Sequence, residues 1–95
     1  MGARAITQIL PALPLSSIDK VTFYKRDEVA TDLICCEVVT GKRLWNFHEE
    51  MPDWGELIAH LGGLRGFRSD WFAEVLQPPF ALRETVAFER SVGAG

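Results

Sequence analysis

The stretch Leu33-Ile34-Cys35-Cys36-Glu37-Val38-Val39 constrains the fold of this chain more than any other. It is almost continuously apolar, rich in strand-forming residues and too short for an ordinary helix. Successive side chains of a strand point to opposite faces, so Leu33, Cys35 and Val39 share one side and Ile34, Cys36 and Val38 the other. Such a strand belongs in the middle of a sheet with both faces covered.

Its flanks supply the neighbours. From Ile18 the apolar period is two, with Val21 and Phe23 alternating with Thr22 and Tyr24, which predicts a strand over roughly residues 18–26. Asp27-Glu28 begins a polar reversal. Thr40-Gly41-Lys42-Arg43 reads as a tight turn, and Leu44–His48 as the returning strand, with Trp45 and Phe47 on one face and Asn46 and His48 on the other. After Pro52 the period becomes 3.6. Trp54, Leu57, Ile58 and Leu61 form one helical stripe that Gly62-Gly63 ends. Ser69 is expected to cap a second short helix carrying Trp71, Phe72, Val75 and Leu76, which Pro78-Pro79 stops. A last strand spans roughly Glu84–Arg90.

The order is βββααβ, and the expected fold is α+β: an antiparallel sheet with an αα-hairpin packed on one face. Trp45, Phe47, Trp54, Leu57, Leu61, Trp71 and Val75 are expected to share one core. Residues 1–17, broken by Pro11 and Pro14, read as an N-terminal extension, residues 18–90 as a single domain and residues 91–95 as a flexible tail. Two short helices cover only one sheet face. The other calls for a twofold partner or for the extension laid across it, and we favour the partner.

Ninety-five residues hold one core, and 47% hydrophobic content with three Trp and six Phe makes that core feasible without staples. The net charge of −3, with no Lys/Arg run longer than two, lacks the basic footprint of a nucleic-acid binder. Cys35 and Cys36 are adjacent and cannot staple distant segments, which suits reduced thiols and a cytoplasmic location. No apolar run reaches the roughly 20 residues of a membrane span, and Pro11 and Pro14 interrupt any secretory signal.

The segment Asn46–Trp54 concentrates chemistry: His48, Glu49, Glu50 and Asp53 stand within six positions. His48-Glu49 opens like the zinc-binding pattern HExxH, but Pro52 occupies the place of the second His. The acids read instead as a helix N-terminus, with Pro52 at the first helical position and Asp53 and Glu56 at capping-box spacing. Each acid near the positive end of the helix dipole is worth about 0.3–1 kcal/mol. His60 falls on the solvent flank of that helix, two turns from His48, so the pair does not form an acid/base couple. Gly41-Lys42 lacks the earlier glycine of a P-loop, and no serine sits in a nucleophile elbow.

No catalytic residue, metal or cofactor is therefore expected. Arg65, Phe67 and Arg68 in the loop after the first helix have the composition of a binding hot spot, and join His48, Glu49, Glu50 and Asp53 as a possible binding patch. In size and layout alone the chain resembles small bacterial α+β proteins. The expected role is a non-enzymatic protein–protein interaction module, a homodimer or the partner of another protein. The alternative is a small enzyme or ligand-binding protein with a pocket between sheet and helices, rimmed by His48, Glu49, Glu50 and Asp53.

Overall fold

The computed structural model describes residues 5–27, 32–75 and 84–90. The elements run α1 (Ile6–Ile9), two 3₁₀ turns (Leu10–Ala12 and Leu15–Ser17), β1 (Lys20–Asp27), β2 (Asp32–Thr40), β3 (Arg43–His48), α2 (Trp54–Leu61), α3 (Trp71–Val75) and β4 (Glu84–Glu89). The mixture of an antiparallel sheet and helices makes the fold α+β. The reversal after Asp27, the end of α3 at Pro78-Pro79 and the tail 91–95 lie outside the described residues.

Four strands form one antiparallel sheet in the order β3-β2-β1-β4, which puts the apolar β2 inside. Gly41 at φ +59° opens the two-residue β2–β3 turn, and Thr40 faces Arg43 across it. Positive φ at the first turn position is the conformation in which glycine matches the twist of the strands.

Alternation sorts the two faces. Val21 and Phe23, then Ile34, Cys36 and Val38, then Phe47 point to one side and join Leu57 and Leu61 of α2 with Trp71 and Val75 of α3 in a single buried cluster. Trp45 and Trp54, expected inside, are partly buried against its rim. Phe23 is the hub. Its ring stacks on Trp71 (centroids 3.7 Å, 12° between planes) and meets Trp54 and Phe67 edge-on, each at 6.3 Å.

Three features go beyond the sequence reading. First, from Ala5 on the N-terminal segment packs into the core. Ile6 and Leu13 are fully buried in the same cluster, on the helical side of the sheet and not across its second face. The prolines do not prevent this, because they terminate one short turn and enter the next, letting Ile6, Leu13 and Ile18 face inward in succession. Second, α1 joins the helical layer: α2 lies against α1, while α3 packs on β1 and β4. Third, the pairing of β4 with β1 is irregular. A bulge between the Val21–Phe88 and Thr22–Val86 pairs leaves Ala87 as the extra residue, and Ala87 enters the core while Val86 is exposed.

Hydrogen bonds tie the residue after β4 to the segment that leads into β1. The Arg90 N–H donates to the Asp19 carbonyl (2.7 Å), and its guanidinium donates to the carbonyls of Ile18 and Leu15. Asp19 in turn accepts the Gly41 N–H on Oδ2 (2.8 Å), clamping the β2–β3 turn to the start of β1. At Gly63 a β carbon would stand 3.1 Å from Leu15 Cδ1, so the loop after α2 passes close over the N-terminal segment.

Because Ile6 is fully buried, Ile6→Ala should lower stability by about 2–5 kcal/mol in urea unfolding. A loss too small to measure would mean that the N-terminal turns do not share the core.

Candidate functional site

Glu49 follows β3 directly and extends its ladder by one rung. Its N–H donates to the Ile34 carbonyl (2.9 Å), and its carboxylate accepts the Ile34 N–H (3.0 Å) in place of a backbone oxygen. Met51 then folds back on the strand end: its N–H donates to the His48 carbonyl (3.0 Å), and the His48 N–H points at Met51 Sδ (3.4 Å). Both outward backbone groups of His48 are thereby occupied.

Asp53 does not cap α2 with its side chain. It adopts the left-handed conformation, φ +69°, and its carbonyl accepts the Glu56 and Leu57 N–H groups. Its carboxylate Oδ2 instead accepts the Thr7 hydroxyl (3.1 Å), linking the start of α2 to α1. Pro52 is part of the turn before the helix, not its first residue. The capping-box expectation fails because a left-handed residue cannot aim its side chain at the N–H groups two and three positions on. At α3 the Asp70 carbonyl accepts the Glu74 N–H, so Asp70, not Ser69, holds the cap position.

The acidic cluster is thus dispersed. Glu49 serves β2, Asp53 serves α1 and Glu50 is exposed. Among the described residues no three His, Cys, Asp or Glu side chains gather closely enough to hold a metal ion. His48 is half-buried on the second sheet face, where Tyr24, Cys35 and His48 lie side by side across β1, β2 and β3. Its Nδ1 is buried without a hydrogen-bond partner among the described residues. Burial, and after it the neighbouring Cys35, push the Tyr24 phenol up. His60, expected on the solvent flank, is half-buried and donates from Nε2 to the Leu13 carbonyl (2.7 Å), a second tie between α2 and the N-terminal segment.

The second group does not act as a unit either. Phe67 is turned inward onto Phe23. Arg68 clamps Asp70 (2.9 and 3.1 Å) and Glu74 (3.2 Å), while its N–H donates to the Ala87 carbonyl (2.8 Å). The hydrogen bond from Arg68 holds the Asp70 carboxyl below its ordinary range. Arg65 is exposed beside a cleft of about 220 Å³ whose other walls include Leu15, Phe88 and Arg90.

A larger groove, of about 610 Å³, went unread in the sequence. Pro11, Pro14 and Ser17 form one wall and Thr40, Arg43 and Trp45 the other. Arg43 lies over the Trp45 ring, 4.1 Å from its centroid, and Trp45 Nε1–H donates to Thr40 Oγ1 (3.0 Å). The available signal was the two-residue spacing of Arg43 and Trp45, which puts both on one face of β3 at the hairpin tip.

No family model matches the chain, and no solved structure matches it. A lanthanide-dependent methanol dehydrogenase of Methylacidiphilum fumariolicum (strain SolV) is 35% identical to it over 52 residues. That match takes in 53% of this chain and 8% of the dehydrogenase.

Two outcomes test this geometry. Asp53→Asn should melt with the wild type, whereas Asp53→Val should cost about 2–3 kcal/mol, because a β-branched residue strains the left-handed position and the Thr7 bond is lost. Equal stability of the two variants would refute the left-handed turn. Cys36 is fully buried on the core face, and burial pushes its thiol up, away from the reactive thiolate. Mass spectrometry after iodoacetamide treatment at pH 8 should find Cys36 unmodified in the native protein and modified in urea. Rapid labelling without urea would contradict its burial.

Proposed function

We propose that this domain is a non-enzymatic protein–protein interaction module and that a second copy of the chain is its partner across the second face of the sheet. The observation that carries this reading is the one-sidedness of the packing. α1, α2 and α3 all feed the cluster on the Phe23 side. On the other side Val39 faces Leu44 across β2 and β3, Leu44 is 54% exposed and Val86 is 36% exposed. Leu33 and Cys35 are buried on that side but stand outside the main cluster. An isologous contact centred on Leu44 would cover the Val39–Leu44 pair with the same pair of a second copy.

The alternative, a ligand or substrate pocket rimmed by His48, Glu49, Glu50 and Asp53, has less in its favour. Two of its three acids are engaged by Ile34 and Thr7. Nor does likeness to so small a share of a dehydrogenase carry that protein's activity to this chain. The free thiols of Cys35 and Cys36 fit a reducing compartment, and we place the protein in the cytoplasm.

Sedimentation equilibrium tests the reading. The full chain should sediment as a dimer in the micromolar range, and Leu44→Lys should sediment as a monomer that keeps the wild-type circular dichroism spectrum. A wild-type chain that stays monomeric at several hundred micromolar would overturn the homodimer.

A further inference from the structure

We propose that the groove between the N-terminal turns and the β2–β3 hairpin docks an acidic segment of a partner protein, with Arg43 taking a carboxylate and Pro11, Pro14 and Trp45 supporting apolar side chains beside it. This site is separate from the second sheet face and does not depend on dimerisation.

Size and wall chemistry come first. At about 610 Å³ the groove lies within the range of ligand sites, roughly 300–1,000 Å³. It is an open trough, suited to a chain segment passing through it more than to an enclosed small molecule. Its walls are preorganised. The proline rings fix the backbone of one side, and the bond to Thr40 Oγ1 fixes the Trp45 indole on the other. Little conformational freedom is left to lose on binding.

Charge selects the occupant. Lys20, Arg68 and Arg90 each have a carboxylate within ion-pair distance: Glu89 for Lys20, Asp70 and Glu74 for Arg68, and Asp19 for Arg90. Arg43 has none among the described residues. Stacking on Trp45 engages the flat face of its guanidinium and leaves the N–H donors at the edge, where a carboxylate can accept two of them. The acid that lines the groove, Asp19, is occupied by the Gly41 N–H (2.8 Å) and lies 3.6 Å from Arg90. The uncommitted charge in the groove is therefore positive, on a protein whose net charge is −3. A basic segment would meet Arg43 unfavourably, and a neutral one would forgo the charge-assisted bond.

The test is a nuclear magnetic resonance titration of the full chain with the end-blocked peptide Pro-Leu-Glu-Glu-Leu-Pro, its counterpart with Gln for both Glu, and acetate. The acidic peptide should shift the Trp45 indole N–H and the Gly41 amide, and should bind about tenfold more tightly than the Gln peptide. Arg43→Gln should abolish that difference, while Arg65→Gln, a control on an exposed arginine elsewhere, should preserve it. Equal affinity of the two peptides, or no shift at millimolar acidic peptide, would overturn the proposal. So would acetate reproducing the same shifts at equal carboxylate concentration, since that would reveal a simple anion site.

Discussion

The packing of this domain turns on the ring of Phe23. It is fully buried at the centre of the sheet and makes three aromatic contacts, with Trp54 at the start of α2, Trp71 of α3 and Phe67 of the loop between them. Each such pair contributes about 0.5–1.5 kcal/mol beyond the burial of its area. One side chain thereby sets the height of two helices and their connection above β1. In a domain this small, where folding hides only around two-thirds of the chain's surface, each of these contacts counts.

The sheet's edges are managed by the segments around them. At the end of β3, Glu49 and Met51 occupy backbone groups that would otherwise be open to pairing. On β4 the bulge at Ala87 turns a carbonyl toward the Arg68 N–H, so the loop before α3 shields that edge. Unpaired strand edges are templates for aggregation, and bulges and short capping segments are common ways to blunt them. Residues that looked like a reactive cluster in the sequence are in this respect edge protection.

The strands and α2 were legible because their periods are clean. The alternation of Val21 with Phe23 and of Trp45 with Phe47 leaves little choice of face, and the stripe from Trp54 to Leu61 can only be helical. The N-terminal segment is illegible for a physical reason. Prolines signal the end of one helix, whereas here they lie among three short turns whose inward residues are spaced irregularly. Irregular spacing carries no period to detect. The Asp53 turn was hidden in the same way, since an acid three residues before a glutamate matches both a cap and a left-handed turn. Of the candidate residues, the sequence showed which were chemically capable but not their partners. Glu49 meets Ile34, Asp53 meets Thr7 and Phe67 meets Phe23, and each contact joins segments far apart in the chain. The groove escaped notice for the same reason, as its two walls come from separate ends of the described N-terminal half.

The arginine that closes the domain also orders its assembly in time. Leu15 and Ile18 present their carbonyls to the Arg90 guanidinium, and Asp19 presents its carbonyl to the Arg90 N–H. During synthesis the β1–β2–β3 meander can pair as soon as it leaves the ribosome. The described N-terminal turns lack these donors until β4 has emerged. Ile6 and Leu13 precede by a wide margin the arginine that clasps their segment, 72 to 75 positions beyond the carbonyls it binds. Pairing of β1 with β4 is likewise the most distant contact in the sheet, the kind that slows folding. Before Arg90 is in place, the surface that Ile6 and Leu13 cover in the finished fold is open to a chaperone or to a neighbouring chain.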